Sequence, residues 1–260
     1  RSKTNVDAHP HRIELSVKNG VVIVGGDAHY WPGPATTAHR AFIRFITEYK
    51  PKAVVVNGDV LDASTISRFL PIGWEDRPSL ADELKTCQER MGEIETAAKG
   101  IRRIWTLGNH DARLETRLAS VAPEFANVFG MHLHNHFTKW ERGWSVWIND
   151  NIVVKHRFRG GATAARNNTI MSGKTMITGH LHSQQVTAFS DYNGTRYGVD
   201  TGCLAAPYAP AFRDYTEDSP RDQRSGFCML TFNGGELLRP ELISVWNETS
   251  VQFRGRLIKV

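Results

Sequence analysis

The sequence predicts an α/β protein built on a parallel β core. Three observations point there. Short apolar runs recur at residues 21–24, 53–56 and 101–107, each strand-length and continuous, as strands buried on both faces are. Between the first two runs, Phe42, Ile43, Phe45, Ile46 and Tyr49 recur at helical spacing, which makes a βαβ unit with parallel strands. Each run also ends in a glycine followed by an acid or amide: Gly26-Asp27-Ala28-His29, Gly58-Asp59-Val60 and Gly108-Asn109-His110-Asp111. Carboxyl ends of strands are where open α/β sheets place their sites.

The elements follow in order. Residues 12–17 alternate apolar and polar, and Lys18-Asn19-Gly20 turns the chain into 21–24, so a hairpin is expected to open the sheet. Pro32, Gly33 and Pro34 break the chain before the helix over 36–49, which Pro51 ends. Asp62 is expected to cap a short helix over 64–69, with support of the site as its alternative. Ser79, with Asp82 and Glu83 behind it, opens a long polar helix that Gly100 closes. A helix over 113–121 starts at Arg113, within reach of a phosphate or of a surface salt bridge. His132, His134 and His136 alternate, as one face of a strand would, and Trp140, Trp144 and Trp147 follow. Trp147 is assigned to the core; Trp140 stands between core packing and base stacking beside Lys139 and Arg142.

Residues 152–154 form a fourth strand leading to His156, then Arg157-Phe158-Arg159-Gly160-Gly161. A helix around 162–171 and a strand at 176–178 lead to Gly179-His180-Leu181-His182. Residues 186–189 and 196–199 flank Asp191-Tyr192-Asn193-Gly194, a hairpin signature. Residues 207–224, with Tyr208, Phe212, Arg213 and Tyr215, make a polar loop of a length that functional loops have. Residues 227–232 and 241–246 close the chain as a strand pair around Asn233-Gly234-Gly235. The expected organisation is a basic arm or linker over 1–12, one domain over 13–250 and a C-terminal tail over 251–260.

At 260 residues, 40% hydrophobic and 23% charged, the chain suits one large globular core. Cys87, Cys203 and Cys228 are far apart without a C-x-x-C pattern, which fits reduced thiols and a cytoplasmic location. No apolar run reaches the length of a membrane span and no signal peptide is visible, so no membrane partner is expected. Starting at Arg1 fits a processed product or a domain cut from a longer chain. Oligomeric state leaves no mark in the sequence. The net charge of +5 and pI of about 9.2 favour a phosphate-rich partner over a mere solubility charge.

The motifs carry the chemistry. Carboxylates, one amide oxygen and several imidazoles suit manganese, iron, zinc or nickel better than calcium or magnesium. D-x-H, G-D, G-N-H-D, a strand-end His and G-H-x-H, in that order between residues 27 and 182, resemble the calcineurin-like metallophosphoesterase superfamily, closest in style to its DNA-repair exonuclease branch. The resemblance implies a two-sheet α/β/β/α metallophosphoesterase sandwich with mixed sheets and two divalent metal ions, manganese first among them. Carried over by residue, Asp27, His29 and His182 would hold one metal. Asn109, His156 and His180 would hold the other, with Asp59 bridging. One of His132, His134 and His136 is the alternative to His156. His110 would protonate the leaving oxygen, and Asp111 would fix its tautomer.

Two cations ~3.5–4 Å apart clamp a phosphate and acidify a shared water. The resemblance does not choose the ester. Arg113, Arg157 and Arg159 are the candidate substrate contacts; the basic balance, Arg157 with Arg159, and the aromatic-basic segment favour a phosphodiesterase, a nuclease acting on DNA. The alternatives are a phosphomonoesterase for a phosphoprotein or nucleotide, and a non-catalytic nucleic-acid-binding protein of the same fold.

Overall fold

The computed structural model describes residues 11–69, 73–75, 77–208, 212 and 222–260. Two mixed sheets lie face to face. The larger is built on β2 (Gly20–Gly25), β3 (Ala53–Asn57), β4 (Arg102–Thr106) and β5 (Glu141–Gly143), all parallel. On the other side of β2 come antiparallel β11 (Gly226–Asn233), β13 (Glu241–Asn247), β14 (Ser250–Phe253) and β15 (Arg256–Lys259), with β12 (Glu236–Leu237) hairpinned onto β11. The smaller sheet runs β1 (Arg12–Leu15), β6 (Ser145–Ile148), β7 (Ile152–Val154), β8 (Thr175–Thr178), β10 (Gly194–Asp200) and β9 (Gln185–Asp191).

Period-two alternation splits each central strand between two cores. Ile23, Val54, Val56, Phe227 and Met229 face α1 (Thr37–Tyr49) and α2 (Leu80–Ala97). Val22, Val24, Ala53, Val55, Cys228 and Leu230 meet Val146, Val154, Ile177 and Val199 of the other sheet. Helix α5 (Ala164–Ser172) covers the smaller sheet from outside, along β8, β9 and β10. The result is the α/β/β/α sandwich. Because both faces of β2 and β3 are covered, their sequences are continuous apolar runs. Thr36 caps α1 and Ser79 caps α2, each accepting a backbone N–H of the first turn.

Several expectations give way. The hairpin of 12–17 with 21–24 does not form: β1 pairs parallel with β6 in the smaller sheet. Both edges of β2 are already taken, by β3 and β11, so no ladder is left for β1. The strand expected through His132, His134 and His136 is a short helix, α4 (Leu133–His136). Asn135 Oδ1 accepts the backbone N–H of Gly130 and His132, which holds a turn instead of an extended strand. Trp147 is only half-buried, with the Arg12 guanidinium 3.8 Å from its ring centroid, and is no core residue. Trp140 is buried and donates to Glu95 at 3.0 Å, so it cannot stack bases. Residues 251–260, set apart as a tail, supply β14 and β15 of the larger sheet. Residues 1–10 of the expected arm, with Arg213 and Tyr215, lie outside the described residues.

Candidate metal centre

Every motif residue named above sits where a strand of one sheet or the other ends. The loops that carry them are strained. Asp27, His29, Asp59, His180 and His182 all have positive φ, between 39° and 72°, a region sparsely allowed for residues with a Cβ. Strain of this kind persists only where the surroundings over-determine it. Two glycines make the crowding visible. A Cβ on Gly108 would lie 2.0 Å from Asp59 Oδ1, and one on Gly179 would lie 2.2 Å from Asp27 Oδ2. These positions must be glycine so that strand ends from both sheets can converge on the two carboxylates.

Two side-chain clusters of the expected ligands result, beside a third grouping of His29, Asp62 and His110. Asp27, His29 and His182 offer one ligand atom each within 4.8 Å of one another, and Asp59, His156 and His180 do the same. Asn109 joins the second cluster, with its Oδ1 3.2 Å from His156 Nε2. Asp59 stands between them: its Oδ2 is 3.1 Å from His156 Nε2 and 3.9 Å from His29 Nε2. The structure thus brings all seven residues together. His132 and His134 group instead with Glu115, which removes them as substitutes for His156.

The donor set fits divalent cations. His29 gives Nδ1 to Asp62 at 3.1 Å, and its Nε2 is buried without a hydrogen-bond partner among the described residues. His156 gives Nδ1 to the Asn57 carbonyl at 2.9 Å and turns Nε2 to Asp59. One ring nitrogen anchored on an acceptor and the other turned toward the shared carboxylates is the arrangement of a ligating imidazole. His182 Nδ1 is likewise buried with no hydrogen-bond partner among the described residues.

Electrostatics agree. Burial alone would raise the pKa of Asp59, but His156, His110 and His29 outweigh it and hold the carboxyl far below its usual range. Burial alone would lower His156, yet Asp59 and Asp27 carry it up to about 10. A proton on His156 therefore does for two buried carboxylates what a cation would do. Burial and the neighbouring His110 keep the His29 ring low and neutral.

Two acids do other work than first expected, Asp62 the work given above as its alternative. Asp111, expected to orient His110, instead accepts from the backbone N–H groups of Asp59, Val60, Leu61 and Gly108 and from Trp105 Nε1. It ties the Asp59 loop to the Asn109 loop. Asp62, expected as a helix cap, caps nothing; the helix over 64–69 shrinks to a single 3₁₀ turn, Ser64–Ile66. Its Oδ1 lies 3.0 Å from His110 Nδ1 and 3.1 Å from His29 Nδ1, so Asp62 orients both rings. Its place three residues after Asp59 was the one available signal, and a cap has the same signature. Phe212, noted only as a loop aromatic, is buried edge-on to His29 and His182 at 4.9 and 5.2 Å.

Among the candidate phosphate contacts, Arg113 gives Nη1 to the Asp62 carbonyl and lies 3.2 Å through Nη2 from His110 Nε2. Arg157 and Arg159 are exposed just after His156. The other half of the expected basic groove is elsewhere. Lys139 pairs with Glu95 at 2.8 Å, before β5, at the end of the parallel strands opposite the motifs. Arg142 is partly buried within β5 itself.

A four-layer sandwich with Asp and His clusters at its strand ends is the architecture of a metal-dependent phosphoester hydrolase. The chain belongs to the calcineurin-like phosphoesterase family, whose model matches residues 20–187 and so spans every motif from Asp27 to His182. No curated protein matches it by sequence. Similar solved structures include Vps29 from Chaetomium thermophilum, 10% identical with a TM-score of 0.49, over 93% of this chain and 97% of that one. A protein serine/threonine phosphatase from Saccharomyces cerevisiae with similarity to human phosphatase PP5 is 13% identical, TM-score 0.44, over 92% and 85%. A dimetal phosphatase from Danio rerio is 10% identical, TM-score 0.44, over 88% and 96%. At these values they carry no inference about activity.

Proposed function

We propose that the protein is a binuclear, manganese-dependent phosphodiesterase that cleaves DNA. Asp27, His29 and His182 would hold one ion and Asn109, His156 and His180 the other, with Asp59 shared between them. Two such cations supply positive charge against the phosphate and an acidified water. The chain does the rest. His110, anchored through Nδ1 on Asp62, turns Nε2 inward to 3.8 Å from Asp59 Oδ2, where it can protonate the leaving oxygen. Arg113, beside that nitrogen, steadies charge on the phosphate.

The observation that favours a polymeric diester is the segment after His156. Arg157, Phe158 and Arg159 are all exposed, and Lys155 Nζ and Arg159 Cζ lie 5.8 and 5.7 Å from the Phe158 ring centroid. Spaced cations around a solvent-facing ring suit a strand that runs past the centre. A monoester, with about two negative charges, wants an enclosed positive pocket instead.

The test is a substrate panel with added Mn²⁺: single- and double-stranded DNA, a generic phosphodiester and a generic phosphomonoester. DNA should be cut, and its binding should weaken steeply with salt. Arg157→Ala with Arg159→Ala should weaken binding to all sequences alike. Fast turnover of the monoester with DNA neither bound nor cut at low salt would replace this reading by a phosphatase. DNA binding with no cleavage of any ester would point to the non-catalytic alternative.

A further inference from the structure

We propose a separate zinc site on the outer side of helix α3 (Ala112–Val121), formed by Glu115, His132 and His134. Their ligand atoms lie within 4.8 Å of one another and belong to neither catalytic cluster. Two imidazoles and a carboxylate are an N/O donor set that zinc accepts, with the fourth tetrahedral position left to water.

What singles out this trio is that the groups around it already orient it. Glu115 uses Oε1 to accept the Leu133 backbone N–H at 3.0 Å, which leaves Oε2 facing His132. His132 gives Nε2 to the Ala126 carbonyl at 2.6 Å and points Nδ1 at Glu115 Oε2, 2.5 Å away. The bond to the backbone carbonyl fixes the ring as ligating histidines are fixed, and leaves Nδ1 as the nitrogen for an ion shared with Glu115 Oε2. His134 is the third donor. It is exposed and stacks on His132, the rings 14° apart with centroids 5.3 Å apart, so it must turn out of that stack to aim a nitrogen at an ion shared with His132.

The backbone that carries the two histidines is pinned by Asn135, whose Oδ1 accepts from both Gly130 and His132. Bond lengths near 2.1 Å put tetrahedral ligand atoms about 3.4 Å apart. Reaching that from the observed spacing requires His134 to rotate out of its stack on His132 and Glu115 Oε2 to back off from His132 Nδ1. Without metal, the Glu115 carboxylate and the Ala126 carbonyl both face His132 nitrogens and raise its pKa. Zinc takes the place of the Nδ1 proton, which leaves to solvent. Occupied, the site would clamp the segment after α3 back onto the helix that begins beside His110 and Arg113.

The site is independent of the catalytic reading, and its test separates the two. The full chain is dialysed against Zn²⁺, and metal per chain and melting temperature are measured. Wild type should hold one zinc more than His134→Ala or Glu115→Ala. In an Asp27→Ala, His156→Ala background, which disables the catalytic clusters, one zinc should remain and should raise Tm. Adding His134→Ala should remove both that zinc and the Tm shift. His134 is exposed, so its loss leaves folding intact, which circular dichroism checks. Equal zinc in wild type and His134→Ala, or none in the Asp27→Ala, His156→Ala protein, would overturn the proposal whatever the enzyme assays show.

Discussion

At the scale of residues, the centre depends on which acid faces which ring. His110 is held by Asp62, not by its chain neighbour Asp111. Burial tends to lower the His110 pKa, but the Asp62 hydrogen bond and the Asp59 charge outweigh it and raise the ring above its usual value. His110→Ala should cut the rate by roughly 10²–10⁴ with metal content unchanged, and the defect should shrink for substrates with good leaving groups. Loss of a metal in that variant would make His110 a ligand instead. The protonated ring is the working form, so activity should fall as pH rises through its pKa. Asp62→Asn removes the raising partner and should move that alkaline limb to lower pH. A pH–rate profile with an unmoved limb would show that another group governs it.

Glu83 makes a second residue-scale case. It is buried on α2, and its Oε2 has no hydrogen-bond partner among the described residues. Burial, with the nearby Asp62 charge, raises its pKa from an ordinary 4.5 to about 7. Between those values the folded state keeps a proton that the unfolded chain gives up. Stability should therefore fall as pH rises through that window, by roughly 3 kcal/mol for this group alone. Glu83→Gln should flatten the slope. Urea titrations below and above the window are the check, and a variant with wild-type pH dependence would assign the effect elsewhere.

At the scale of elements, the loops matter more than the strands they follow. The strands bring Asp27, Asp59 and Asn109 to one end of the parallel core, as their apolar runs predict. What packs the loops together is Asp111, through four backbone N–H groups and an indole, and the glycines that let carboxylates approach. Gly108→Ala or Gly179→Ala should displace Asp59 or Asp27. An overpacked site of this kind costs typically 1–3 kcal/mol. Bound metal should drop in proportion to lost activity, read by metal analysis of the folded variant. Full metal content with wild-type activity would show that the loops have more slack than the geometry allows.

At the scale of the whole molecule, the centre is a seam. Asp27 and Asp59 come from the larger sheet, His156, His180 and His182 from the smaller one. Cations bound there would tie the two sheets together across a cluster of buried carboxylates. Removing them with a chelator should lower Tm by several degrees, and Mn²⁺ should restore it, since a ligand bound only to the folded state stabilises it. An unchanged Tm after verified metal removal would show that the sheets are held by the apolar layer between them alone. That layer runs from Val22 and Val55 to Val146 and Ile177.

The sequence by itself determined the α/β class, the parallel β2–β3–β4 core, helices α1 and α2, and the convergence of Asp27, His29, Asp59, Asn109, His156, His180 and His182 on one site. All of that is local or periodic. Apolar runs, caps and motif glycines record the backbone they need, and the order of the motifs carries the family resemblance. Only the tertiary structure decided what depends on partners far apart in the chain. It sent β1 to the smaller sheet because both edges of β2 were filled, and made residues 251–260 into paired strands. It gave His110 to Asp62, because which acid faces a ring depends on how two loops pack and not on their spacing. It separated Lys139 from the centre by the length of a strand, and set His132 and His134 against Glu115 in place of the strand their alternation suggested. Each is a choice among neighbours, which the chain makes only once its layers are in contact.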